Sequence, residues 1–288
     1  MITRPCLRLG LVVCSLLFAV ALPAQQDWEA VKMKLTPLRG GVFMLEGRGG
    51  NIGVMVADNG VLMVDDQFLP LAGKIEAALA EVSDAPLQYV LNTHYHGDHT
   101  GSNEHFGEHA TILAHEKVRE RLAAAEGKPA AALPVITFDH GASVHFGGEH
   151  ISLLHHGPGH TDGDSVVRFE HANVVHMGDL FFSGRFPYVD LNSGGSIDGY
   201  LAAVEAVAAE VDEETLIIPG HGPLSDKAAL IRYRDMIRET VTLAREEFAQ
   251  GRNIGDILRS GVMEPWAEWG TGWITTERWL QTIYDDAQ

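Results

Sequence analysis

The chain has 288 residues, long enough for one large domain of mixed secondary structure with a sizeable buried core. Its 39 acidic side chains outnumber 21 basic ones, giving a net charge of −18. That balance excludes the basic footprint that nucleic-acid binding requires, so no nucleic-acid partner is expected, and otherwise it speaks to solubility.

Arg4 and Arg8 precede an apolar run, Leu9 to Leu22, that ends in "ALPAQQD". A basic start, an apolar middle and a small residue at the cleavage point read as a secretory signal peptide over residues 1–24, cut after Ala24. Residues 25–288 are then the mature chain, periplasmic or secreted. Lipid attachment at Cys14 and retention as an uncleaved anchor are the alternatives, but "LVVCS" lacks the small residue that normally precedes a lipidated cysteine. The run is short for a bilayer span and no later stretch reaches about 18 continuous apolar residues, so no stable membrane partner is expected. Cys6 and Cys14 both lie in this segment. The mature chain therefore has neither thiol nor disulfide, and any metal must be held by nitrogen and oxygen. Losing two arginines moves its charge from −18 to −20.

From about residue 32 to 66 the chain reads as short strands, "VKMKLTPL", "GVFMLEG", "NIGVMVAD" and "GVLMVDD", the last two a hairpin around "ADNG". "EGRGGN" (46–51) is a short hairpin tip, implying a small flap and an open cleft. A helix follows from Leu71 to Val82, with Ile75, Leu79 and Val82 on one face. "LQYVLN" is a buried strand, "ATILAH" another, and "EKVRERLAAAEG" a helix closed by Gly127 and Pro129. The stretch 127–134 reads as a surface loop. A second β-rich half covers "ASVHFGG", "HISLLHHG", "SVVRFE" and "ANVVHMGD". A helix ("IDGYLAAVEAVAAEV"), a strand ("TLIIPG") and a long amphipathic helix from Ser225 to Gln250, stopped by Gly251, complete it. Strand clusters alternating with helices in two similar halves imply an α/β fold with two sheets face to face and helices outside. The expectation is a single domain over 25–288, with its core at about 35–225 and C-terminal helices from 225 to 288.

The chemistry-bearing residues fall at strand ends: His94, His96, Asp98 and His99 after "YVLN", His160 in "GPGHTDGDS", Asp179 in "HMGDLFF", and His221 in "IIPGHGP". Each is flanked by glycine, and loops at strand ends are where sites are built on rigid sheets. Five histidines and two aspartates suffice for two ions with an open position each.

"HYHGDH", "GHTDGDS", "GDLFF" and "PGHG", in this order over about residues 35 to 225, resemble the motifs of the metallo-β-lactamase superfamily. The resemblance implies a four-layer αβ/βα sandwich with two Zn2+ ions per chain at one sheet edge. Carried over position by position, His94, His96 and His160 match the first zinc, Asp98, His99 and His221 the second, and Asp179 the bridging carboxylate. Asp65 matches an aspartate that orients ligands from behind. Two zinc ions sharing a water would lower its pKa toward about 7 and supply a zinc-bound hydroxide, with Asp98 orienting it and later protonating the leaving group. The middle ligand is His96, where di-iron relatives use a carboxylate.

Departures narrow the reading. Lactamases of the cysteine-ligand subclass have cysteine where this chain has Asp179, and lysine where it has Phe182; the nearest cation here is Arg185. The stretch "FPYVDLNSGGSIDGYLAAVEAV" is similar to a secreted, cyclase-labelled group related to β-lactamases and glyoxalase II-like hydrolases, some of which have β-lactamase activity. The expected function is an exported zinc hydrolase acting on a small-molecule ester, thioester, lactone or β-lactam. The alternatives are a mononuclear-iron persulfide dioxygenase and a binding protein that keeps its metal for structure. His155 and His156 read as packing residues, as do the other eight histidines outside the motifs, and Tyr95 and Tyr188 are candidates to line the cleft. Trp266, Trp269, Trp273 and Trp279 are expected to dock a C-terminal helix on the core.

Overall fold

The computed structural model describes residues 26–288. The expected signal segment 1–24, with Cys6, Cys14 and the cut after Ala24, lies outside the described residues.

The first half of the chain supplies strands β1 (Lys34–Pro37), β2 (Val42–Glu46), β3 (Ile52–Ala57) and β4 (Gly60–Val64), helix α1 (Ala72–Ala80), and strand β5 (Leu87–Asn92). Short helical turns α2 (Gly97–Thr100) and α3 (Asn103–Phe106) lead to strand β6 (Thr111–His115), helix α4 (Glu116–Ala124) and strand β7 (Ile136–Phe138). These seven strands form one sheet in chain order, antiparallel from β1 to β4 and parallel from β4 to β7. Parallel neighbours require crossovers, which the helical segments provide. The second sheet has five strands: β8 (Gly141–Phe146), β9 (Glu149–Leu154), β10 (Val166–Phe169), β11 (Val174–His176) and, after helix α5 (Ile197–Glu210), β12 (Leu216–Ile218). Helices α6 (Lys227–Ala249), α7 (Ile254–Ser260) and α8 (Thr276–Asp286) close the chain.

Every residue of β4, "GVLMV", is buried, because the strand is covered on both faces. Leu62 and Val64 meet Leu153 and Val167 of the second sheet, while Val61 and Met63 pack on Ile75 and Leu79 of α1. The outer face of the second sheet, Val166, Val175 and Ile217, is covered by Val204, Tyr233, Met236 and Trp279 from α5, α6 and α8. The result is the expected αβ/βα sandwich.

Two expectations need correction, and a third holds in plan but not in size. The halves are alike in plan, each an antiparallel meander continued by parallel strands across helical crossovers, but seven strands face five, with three parallel pairings in the first half and one, β11 with β12 across α5, in the second. Helix α1 ends at Ala80, leaving Val82 in the turn toward Pro86. The stretch 127–134 is not wholly at the surface, because Ala132 is buried and its carbonyl accepts from Asn103 Nδ2 at 3.0 Å. Helix α6 lies within its expected bounds. Asp226 caps its start by accepting from Ala229 N, and Gly251 leaves it at φ +81°. Among the described residues no helix is long and apolar enough to cross a membrane.

The tryptophans divide. Trp279 is fully buried, donates from Nε1 to Thr240 Oγ1 at 2.9 Å and stacks on Phe186, so it docks α8; Trp269 is also buried. Trp273 is 60 % exposed and packs no core. Trp279→Ala should therefore lower stability by about 3–5 kcal/mol in urea unfolding, and Trp273→Ala should stay within about 0.5 kcal/mol of the parent. Equal losses would mean that both side chains hold the C-terminal helix.

Candidate metal centre

One end of the sandwich collects the loops that follow β4, β5, β9, β11 and β12. Asp65, just past β4, adopts φ +66°, a conformation that costs a non-glycine residue about 1 kcal/mol or more. Its buried carboxylate shows what holds it there. Oδ1 accepts from Thr93 N at 2.8 Å, and Oδ2 accepts from Thr93 Oγ1 at 2.8 Å and from His99 Nδ1 at 2.7 Å. The loop after β5 is further tied by the paired amides of Asn92 and Asn103.

His94, His96, His160 and Asp179 form one group of converging donors, and Asp98, His99 and His221 a second; within each, the donor atoms lie within 4.8 Å of one another. Asp179 stands between them. Its Oδ2 is 3.8 Å from His94 Nε2 and 3.4 Å from His160 Nε2, while Oδ1 is 3.1 Å from His99 Nε2 and 3.3 Å from His221 Nε2. Asp98 Oδ2 lies 3.4 Å from His221 Nε2. The fold thus brings together all seven residues singled out from the sequence.

Hydrogen bonds behind the rings decide which nitrogens face inward. His160 donates from Nδ1 to the Tyr188 carbonyl at 2.7 Å, and His96 donates from Nε2 to Asp190 Oδ2 at 3.0 Å. His94 Nδ1 meets Thr93 Oγ1, whose own proton goes to Asp65. His94 Nε2, His96 Nδ1 and His160 Nε2 are then bare, yet His96 Nδ1 sits 3.1 Å from His94 Nε2 and 2.8 Å from His160 Nε2. Lone pairs that close repel unless a cation lies among them. Asp179 Oδ1 is buried without a well-directed hydrogen bond. Such a donor set of nitrogen and carboxylate oxygen, without sulfur, fits a divalent metal such as zinc.

The two groups differ in charge. Burial drives His160 down to about 4 and His94 well below the ordinary imidazole value, so these two rings are neutral. Burial also opposes charge on His99 and His221, but Asp179 foremost outweighs it, raising His99 well above its ordinary value and His221 to about 9. Protons there stand where a cation belongs. The Asp179 carboxyl is held well below the carboxylate range: burial works the other way and the surrounding histidines prevail, His221 first.

Glycines permit this crowding. A side chain at Gly50 would run into the His99 ring, and one at Gly220 into Asp179 Oδ1. Asn51, at the hairpin tip, donates from Nδ2 to the carbonyls of Pro219 and Gly222, tying the first sheet to the loop that carries His221. A cavity of about 470 Å³ opens over the centre, lined by Asp98, Asp179 and His221 and by Phe68, Phe182, Arg185, Tyr188 and Trp273. No residue of the tip 46–51 lines it, in keeping with a small flap.

Tyr188 lines the cleft; Tyr95 does not, because its hydroxyl turns back to Ser193 Oγ at 2.7 Å and Asp190 Oδ2 at 3.1 Å. His155 donates from Nδ1 to the Asp164 carbonyl at 2.7 Å and stacks on His115. His176 is a satisfied core residue, bonded to Asn51 O and Gly178 N. Asp190 is the residue that sequence reasoning missed. Its only signal was an acidic side chain set among apolar neighbours in "YVDLN".

Residues 45–221 match the sequence profile of the Metallo-beta-lactamase superfamily. The chain is 28 % identical over 191 residues to the probable metallo-hydrolase YqgX of Bacillus subtilis, an alignment covering 61 % of this chain and 89 % of that one. It is 28 % identical over 165 residues to the 2,4-dinitroanisole O-demethylase subunit alpha of Nocardioides sp. (strain JS1661), covering 55 % of this chain and about half, 49 %, of that protein. In three dimensions it is similar to a metallo-beta-lactamase from Pontibacter korlensis, with a TM-score of 0.62 at 17 % identity, covering 72 % of this chain and 99 % of that one.

Asp190→Ala should free the His96 ring to turn and weaken zinc binding about 10- to 100-fold in chelator competition, with Asp190→Asn retaining most of the affinity. Equal affinity in parent and Asp190→Ala would show that Tyr188 and the ring packing suffice to aim His96.

Proposed function

The chain belongs to the metallo-beta-lactamase superfamily, and from that premise we propose that it is an exported, dinuclear zinc hydrolase that cleaves a carbonyl substrate: an ester, thioester, lactone or β-lactam. The observation that carries the reading is Asp179, which turns one carboxylate oxygen toward each histidine group. In this reading His94, His96 and His160 hold the first ion, Asp98, His99 and His221 the second, and Asp179 touches both. When bound, two zinc ions would polarise the carbonyl and bring the pKa of a shared water to about 7.

The protein's own groups do the rest. Asp98 is partly exposed on the cavity floor, where its carboxylate can take up the nucleophile's proton and return it to the leaving group. His221 lies flat against Phe182, 5.2 Å between ring centres at 13°, which excludes water from one side of the site. Arg185 is the cation among the cavity's lining residues and has no carboxylate partner among the described residues. Similarity to YqgX, a probable metallo-hydrolase, supports hydrolysis, and Arg4 and Arg8 before an apolar run support export.

Metal analysis and a substrate panel test this. Purified protein should carry about two zinc per chain and turn over at least one of a p-nitrophenyl ester, a thioester, a lactone and a cephalosporin, with loss on chelation and recovery on adding zinc. About one iron per chain, with oxygen uptake on glutathione persulfide, would replace the reading by a persulfide dioxygenase. A nitroaryl methyl ether belongs in the panel because of the demethylase relative.

Metal uptake should depend on pH in one direction only. His221 is raised to about 9 and His99 well above its ordinary value in the metal-free protein, and both must lose a proton to coordinate, so loading the second position releases up to two protons at pH 7.5. Affinity there should rise with pH between 7 and 9, by up to about a hundredfold per unit while both imidazoles are protonated, whereas His94 and His160 of the first group, held neutral by burial, have no proton to lose. Calorimetry in two buffers of different ionisation enthalpy reads the proton count. No proton release at pH 7.5 would remove His221 from the ligand set.

A further inference from the structure

An aromatic ledge runs outward from the metal centre. The Tyr188 ring lies 5.6 Å from His160 and 5.9 Å from His96, and the Trp273 ring lies 4.9 Å from Tyr188. Trp273 is 60 % exposed, yet it is not loose. Arg278 stacks on the indole at 4.6 Å and donates from Nη1 to the Trp273 carbonyl at 3.2 Å. Ile274 and Phe186 continue the same wall of the cavity. An exposed indole normally gains nothing from being held in place, since fixing it costs conformational freedom without burying it. Holding it pays only if another apolar surface covers it.

We propose that Trp273 determines specificity by binding a flat aromatic group on the acyl side of the substrate. The choice of side is part of the proposal: the ion held by His94, His96 and His160 would polarise the carbonyl, and Tyr188 is the ring against His96 and His160, whereas Phe182 stacks on His221 and reaches His160 only edge-on, at 6.0 Å. The substrate class is therefore an aryl-substituted acyl ester or thioester. This inference rests on the hydrolase reading above. It draws on a residue outside the stretch matching the family, 45–221.

The test compares p-nitrophenyl phenylacetate with p-nitrophenyl acetate, which share a leaving group, in zinc-loaded parent, Trp273→Ala and Trp273→Phe proteins. The ratio of kcat/KM values, phenylacetate over acetate, should fall about tenfold in Trp273→Ala, mainly through KM, and recover largely in Trp273→Phe. An unchanged ratio would overturn the proposal. Should neither ester be hydrolysed, the ester is removed from the hydrolase reading but the ledge is still measurable. Phenylacetate binding to zinc-loaded protein, read by ligand NMR against acetate, should weaken about tenfold in Trp273→Ala, and equal affinity in parent and variant would overturn the ledge.

Discussion

Asp179 sits where two sets of imidazole nitrogens converge, and the geometry of this end of the sandwich depends on that one buried carboxylate. Alone, it would be an expensive group to bury. Here it is surrounded by His94, His160, His99 and His221, and these in turn have no favourable way to approach one another without it. Carboxylate and rings therefore require each other, and both require positive charge between them. The turn that bears Asp179 is fixed from the helical side. Tyr200 donates to its carbonyl at 2.8 Å, and Tyr233 meets the Tyr200 hydroxyl at 2.6 Å, so α5 and α6 are tied directly to the centre.

The positive charge is distributed unevenly. The side of His94, His96 and His160 is backed by a backbone carbonyl, a hydroxyl and Asp190, which take the outward protons and leave bare nitrogens facing in. The side of His99 and His221 faces Asp179, Asp98 and, through His99, Asp65, so its imidazoles retain protons. Both arrangements serve one end: a site that presents electron pairs to a cation, with orientation settled before any ion arrives. The strained Asp65 backbone is the cost of that preorganisation, and its three hydrogen bonds offset it.

The C-terminal segment adds what the scaffold of strand ends does not. The hairpin tip at 46–51 is engaged in holding His99 and the 219–222 loop, so it leaves the cleft open. The wall opposite comes instead from Trp273 and Ile274, carried into place by the packing of Trp279 under α8. One short sequence, with tryptophans at 269, 273 and 279, thus serves two purposes: anchoring in the core and shaping the cavity.

Much of this was legible in the sequence. Period-two and continuous apolar runs mark β2 to β6 because strands covered on one or both faces must be apolar there, and "HYHGDH", "GHTDGDS", "GDLFF" and "PGHG" place chemistry at strand ends where glycine allows close approach. Those are local properties, written in neighbouring residues. The unequal sheets, the tautomers, Asp190 behind His96 and the turning away of Tyr95 are not. Asp190 and His96 are 94 positions apart, and Asp65 and His99 are 34 apart. A hydrogen bond between distant residues depends on how the two sheets stack and where each loop lands, and no periodicity carries that information. The same limit applies to the tryptophans. Spacing marks four of them as apolar side chains near one another, but only the packed helix decides that Trp279 is enclosed and Trp273 is left facing the cavity.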